Sequence, residues 1–205
     1  MATNGSNGKE IQPDHRVILD WVEPSASVLD LGCGDGELLY HLVKEKGCRG
    51  QGIEIDEQAI YKCVAKGLNV FHEDIEGGLT DYKDKAFDYA ILDQTFQQIL
   101  HVDNALESAL RVGKKVIVAF PNFAYYKSRI QVFFSGRTPV TKALPYMWYE
   151  TPNLHSVSIW DFLEYCRIKG ITIEKSAFLD GPKRVRLFSN LFAQLGLFLI
   201  SKKAQ

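Results

Sequence analysis

The chain has no apolar run approaching the about 20 residues needed to cross a bilayer. Its first residues, 1–8, are polar and lack the apolar centre of a secretory signal. A cytoplasmic protein without membrane attachment is expected. Excess charge of either sign is also missing: 24 Lys and Arg stand against 25 Asp and Glu, a formal net charge of -1. The basic residues are scattered, so no long-range field gathers nucleic acid, and no nucleic-acid partner is expected. The densest basic cluster, Lys183-Arg184-Val185-Arg186, reads as a solvated loop. Cys33, Cys48, Cys63 and Cys166 lie far apart with no Cys-x-x-Cys among them, which argues against a zinc site or a disulfide framework. His15, His41, His72 and His101 show no ligand spacing and read as surface or cap residues, so no metal is expected.

What is present is an ordinary globular composition, 46% hydrophobic and 24% charged in 205 residues, enough to bury one core without staples. Apolar spacing predicts a leading helix over 15–22, then a strand at 27–31, a helix at 37–46, a strand at 50–55 and a helix at 57–66. Strands at 68–71 and 87–92, a helix at 103–112 and a strand at 115–120 continue the alternation. Strands apolar on both faces, alternating with helices, indicate an α/β fold: a three-layer sandwich whose mostly parallel sheet is covered on both sides. After Phe120 the pattern lapses into Pro, aromatic and polar residues, then resumes with a helix at 159–169 and strands at 171–178 and 192–201. The expected organisation is a disordered extension at 1–12 and one Rossmann-like domain at 13–205, with an inserted aromatic segment at 121–155.

The first strand runs into Asp30-Leu31-Gly32-Cys33-Gly34-Asp35-Gly36. Glycines let the backbone turn tightly and let a ligand lie against main-chain amides, and in an open parallel sheet such a loop borders the ligand crevice. The second strand ends near Glu54, an acid suited to accept hydrogen bonds from both ribose hydroxyls of an adenosine. Dinucleotides need Gly-x-Gly-x-x-Gly and a helix N-terminus facing pyrophosphate, whereas the third glycine here comes one residue early. Asp30 and Asp35 repel phosphate and attract a sulfonium and an ammonium group, which favours S-adenosylmethionine or S-adenosylhomocysteine as the ligand. Asp74 is placed to accept from an adenine amino group, with Ile75 against the ring, and Asp93-Gln94 faces the same crevice after the fourth strand. Gly32, Cys33, Gly34, Gly36 and Ile55 complete the expected cofactor set.

Val28 to Gly36, Gly52-Ile53-Glu54-Ile55-Asp56, Glu73-Asp74 and Phe87-Asp88 resemble class I S-adenosylmethionine-dependent methyltransferases over about 13–120. A narrower resemblance rests on Leu31-Gly32-Cys33-Gly34-Asp35-Gly36-Glu37-Leu38-Leu39, Ala65-Lys66-Gly67-Leu68-Asn69-Val70, Phe120-Pro121-Asn122-Phe123 and the stretch 144–155, which begins Leu144-Pro145-Tyr146-Met147-Trp148-Tyr149 and ends at His155. These are similar to the MetW family of methionine-biosynthesis proteins. The resemblance implies a seven-stranded sheet with its last strand antiparallel, and a role beside the homoserine O-acyltransferase that activates homoserine. It leaves two functions open: a ligand-binding protein supporting that acyltransferase, or a methyltransferase acting on a small molecule. Methyl transfer needs mainly alignment of donor and acceptor, so no catalytic residue is named. The Asn or Asp-Pro-Pro-Tyr motif of amino methyltransferases is absent, with Asp93-Gln94-Thr95-Phe96 in its place. Asn122, Tyr146, Trp148, Tyr149 and His155 are candidates for an acceptor pocket or a partner surface, the aromatics equally for a small satellite core.

Overall fold

The structure is a computed structural model that describes residues 11–77 and 79–202. The stretch expected to be disordered lies outside the described residues except for Ile11 and Gln12. Helix α1, Pro13–Trp21, opens with a proline whose fixed φ suits the first helical turn and with Asp14 beside the positive end of the helix dipole. There follow β1 (Ser27–Leu31), α2 (Glu37–Lys46), β2 (Arg49–Glu54), α3 (Glu57–Ala65), β3 (Val70–His72), β4 (Phe87–Asp93), α4 (Val102–Val112) and β5 (Gly113–Pro121). Up to this point every expected element is present within about two residues of its expected bounds.

The remaining elements are α5 (Tyr126–Ser135), α6 (Ile159–Lys169), β6 (Ile171–Asp180), β7 (Lys183–Arg184), α7 (Ser189–Phe192) and β8 (Leu195–Lys202). Three of these correct the sequence reading. The aromatic segment holds helix α5, and the stretch expected to begin the last strand at Phe192 is instead the short helix α7. Lys183 and Arg184, read as a loop, pair with Asp180 and Leu179 as an edge strand and stay exposed.

Among the described residues the sheet has eight strands in the order β3-β2-β1-β4-β5-β8-β6-β7. The first five strands are mutually parallel where they pair, and β8 runs antiparallel to both β5 and β6. The seven long strands match the expected pattern, and β7 adds two residues at the edge. Side chains alternate across the pleat, so each central strand feeds two cores. Leu29, Leu31, Ala90, Leu92, Val118 and Phe120 face one core, shared with α4 and α6. Val28, Tyr89, Ile91, Ile117 and Ala119 face the other, under α1 and α2. Burial on both faces is why these strands read as continuous apolar runs.

Candidate ligand-binding crevice

β1 and β4 are neighbours from which the strand order departs in opposite directions, so the crevice beyond their carboxyl ends lies at the reversal point. The glycine loop leaves β1 there. Gly32 and Cys33 both donate their backbone N–H to Ile53 O, at 2.8 and 3.1 Å, which pins the loop against β2. All three loop glycines have positive φ, yet they differ in what a side chain would meet. A Cβ on Gly32 would lie 2.6 Å from the Thr95 side chain, and one on Gly36 2.5 Å from Leu68, so the protein itself closes both positions. A Cβ on Gly34 would meet nothing within 4 Å. Gly34 faces open space.

Glu54 ends β2 directly opposite. Its Oε2 accepts from Gly34 N at 2.7 Å, and its Oε1 accepts from Ile55 N and Asp56 N at 2.8 and 3.0 Å. Three main-chain amides thus fix this carboxylate beside the loop. Ile55 is 62% exposed next to it, an apolar surface available to a ring. Ile75, expected to share that task, is 9% exposed and packs into the main core. Asp74 is exposed after β3 and spends one oxygen on Glu76 N at 2.9 Å. Cys33 is buried, and its sulfur occupies the space that a Cβ on Gly52 would need, 2.6 Å away. Burial and the charge of Asp30 push its thiol well above the ordinary range, so it is a packing residue.

The other side of the crevice is built from charge. Asp30 is 2% exposed. Burial lifts its carboxyl to about 7; the charge of Asp93 adds to this, His15 opposes it and Glu54 adds a little more. Asp93 takes an ion pair from His15, Nε2 to Oδ2 at 3.1 Å. Gln94 adopts a left-handed φ of 54°, uncommon outside glycine, and its Nε2 donates to Asp14 Oδ2 at 2.5 Å. Asp14 and His15 therefore belong to this site, although the spacing of the histidines suggested only surface or cap roles. Thr95 and Gln97 support the turn: Thr95 Oγ1 donates toward Gly32 O at 3.3 Å, and Gln97 Nε2 donates to Gln94 O at 2.6 Å.

The candidates after β5 separate from one another. Asn122 is buried, with its amide nitrogen donating to Asn190 O and Ala193 O and its oxygen accepting from Ala124 N and Ile159 N. It clamps β5 to α6 and α7, and its hydrogen-bonding groups are all engaged within the fold. Tyr146, Trp148 and Tyr149 are exposed, Trp148 by 70%, with the last two rings edge to face at 5.6 Å. They form no satellite core. His155 is tied to the turn after β4: its N–H donates to Gln97 O at 3.1 Å, and its ring lies 3.3 Å from Leu100 O. It stands between a narrow cleft shared with Tyr146 and Trp148 and a larger one of about 620 Å³ floored by Phe96 and Phe162.

Comparison with known proteins agrees with this architecture. A methyltransferase described as S-adenosylmethionine dependent, from Archaeoglobus fulgidus, superposes with a TM-score of 0.68 at 20% identity, covering 93% of this chain and 91% of the other. The [4+2]-cyclase SpnF superposes at 0.65 with 16% identity, covering 93% of this chain and 81% of its own. The fold is that of class I methyltransferases, and a shared fold alone does not specify the reaction. The bifunctional methionine biosynthesis protein MetXA/MetW of Rhodopirellula baltica is 32% identical over 183 residues, 85% of this chain. The chain spans only 29% of that protein's length. Residues 12–200 match the family model of the methionine biosynthesis protein MetW, and the chain belongs to that family.

Proposed function

We propose that the chain binds S-adenosylmethionine, or S-adenosylhomocysteine, in the crevice beyond β1 and β2, and acts in methionine biosynthesis beside a homoserine O-acyltransferase. The observation that carries the first part is the Glu54 carboxylate, held by three amides next to the one loop glycine with open space beside it. Glu54 accepts from the ribose hydroxyls, exposed Ile55 covers the adenine, and Asp74 accepts from its amino group. Asp30 and Asp93 oppose a pyrophosphate and suit a cation. When bound, S-adenosylmethionine supplies an electrophilic methyl on a sulfonium.

The second part is supported by the family and by the relative whose name joins MetXA to MetW. Exposed Tyr146, Trp148 and Tyr149, with Phe133 and Phe134 on α5, offer large apolar area at low entropic cost, as protein partners use. Two measurements test the reading. The adenosyl ligand should raise the melting temperature in proportion to the logarithm of its concentration above Kd, and the acyltransferase of the same cell should co-purify with the tagged chain. Absence of the first contradicts the ligand assignment; absence of the second contradicts the partnership.

A further inference from the structure

The buried polar cluster at the end of β4 is larger than a binding carboxylate needs. Asp14 and His15 from α1 and Asp30 from β1 are buried, the Asp93 side chain from β4 is 10% exposed, and Glu54 from β2 acts on Asp30 through space. Two atoms in it, Asp93 Oδ1 and His15 Nδ1, are buried with no partner among the described residues. Buried polar atoms are paired as a rule, and Asp93 ends β4, one of the two strands at the reversal point. Three carboxylates share one imidazole there, so the cluster lacks positive charge.

Resting on the ligand assignment above, we propose that this cluster reads the charge of the ligand: Asp30, Asp93 and His15 give up a proton when a cationic adenosyl ligand occupies the crevice and keep it when the ligand is neutral at sulfur. The chain thereby separates S-adenosylmethionine from S-adenosylhomocysteine, which differ by one methyl and one positive charge. The proton passes to solvent and the sulfonium takes over its electrostatic role. No bond in the ligand changes. Asp30 is suited to this because its carboxyl, lifted by burial and then by Asp93, sits at about 7. In a medium of low effective dielectric, a unit charge a few ångströms away is sufficient to ionise such a group at neutral pH. Burial opposes the charged form of His15, but the hydrogen bond and charge of Asp93, with Asp14 and Asp30 adding, outweigh it and raise its pKa.

Calorimetry of the full chain at pH 7, in buffers of different ionisation enthalpy, reads both affinity and proton release. The probes are S-adenosylmethionine, S-adenosylhomocysteine and sinefungin, whose amine replaces the sulfonium. S-adenosylmethionine and sinefungin should each release more protons than S-adenosylhomocysteine. Their affinity advantage over it should grow by about tenfold between pH 6 and pH 8 as Asp30 loses its proton. Asp30→Asn and Asp93→Asn should bring the charged and neutral ligands to within about threefold of each other at every pH, whereas a merely structural role would weaken all three alike and keep the pH-dependent difference. The wild-type pH series stands even if those variants fold poorly. Equal affinities and equal proton counts for the charged and neutral ligands overturn the inference and leave the ligand assignment intact, whereas failure of all three to bind overturns both.

Discussion

Gly32, Gly34 and Gly36 look alike in the sequence, yet the space around each assigns them different work. Gly32 and Gly36 are required by Thr95, Leu68 and Cys63, whereas Gly34 faces open space. Gly34→Val should therefore leave a folded chain, strained only by its positive φ, that no longer binds an adenosyl ligand; a soluble variant with normal affinity in calorimetry contradicts this. Glu54→Ala should weaken binding by about 1.5–3 kcal/mol, the worth of hydrogen bonds to a charged group, and unchanged affinity rejects the assignment. Both residues were legible because motif spacing is local. Asp14 and His15 were not, since their partners Gln94 and Asp93 lie about 80 positions away in the chain and the contact leaves no periodic trace. Asn122 was read from position alone; that Asn190, Ala193 and Ile159 consume its amide is visible only once α6 and α7 are in place.

Helices are found in a sequence by the stripe they bury, and α5 buries almost nothing. Of its ten residues Ser128 alone is buried, while Ile130, Val132, Phe133 and Phe134 face outward, so no amphipathic period marks it. α6 is the opposite case. Ser158 and Asp161 form a reciprocal capping box at its start, and Ile159, Phe162 and Cys166 are buried. Ser158→Ala should lower stability by about 1 kcal/mol in denaturant melts, and a loss within a few tenths would contradict the cap. α1 is docked through titrating groups, which gives stability a pH dependence. His15 has a raised pKa, so its contribution is complete below the unfolded value near 6.5 and fades as pH climbs past the folded one. Asp30, at about 7 in the fold, holds a proton that the unfolded chain has already lost near 4, so it too makes folding less favourable as pH rises between those values. Asp88 has the reverse sign: hydrogen bonds from Lys114 and Ser27 hold its carboxyl far below the usual range, and its contribution disappears only as pH falls below about 4. The unliganded melting temperature should fall from pH 5.5 to pH 8, and a flat or rising profile contradicts the His15 and Asp30 assignments.

At the scale of the whole molecule, the two-sided burial of the central strands made the α/β class readable, and the reversal between β1 and β4 placed the crevice without reference to any relative. The short edge strand β7 escaped notice because its two residues are exposed, and α7 because a four-residue helix is too short to carry an apolar rhythm. The crevice and the exposed aromatics are supplied by different parts of the chain, which predicts that they can be separated by mutation. Trp148→Ala should weaken co-purification with the acyltransferase several-fold while holding adenosyl-ligand affinity within about threefold, under ~0.7 kcal/mol; parallel loss of both would make the aromatic segment part of the ligand site. The central claim is that the glycine loop and Glu54 form an adenosyl site that excludes dinucleotides. Titration of the purified chain with S-adenosylmethionine and with NADH tests it most directly. Saturable binding of the first, abolished in Gly34→Val, with none of the second, is the predicted result; NADH binding, or no response to S-adenosylmethionine, contradicts it.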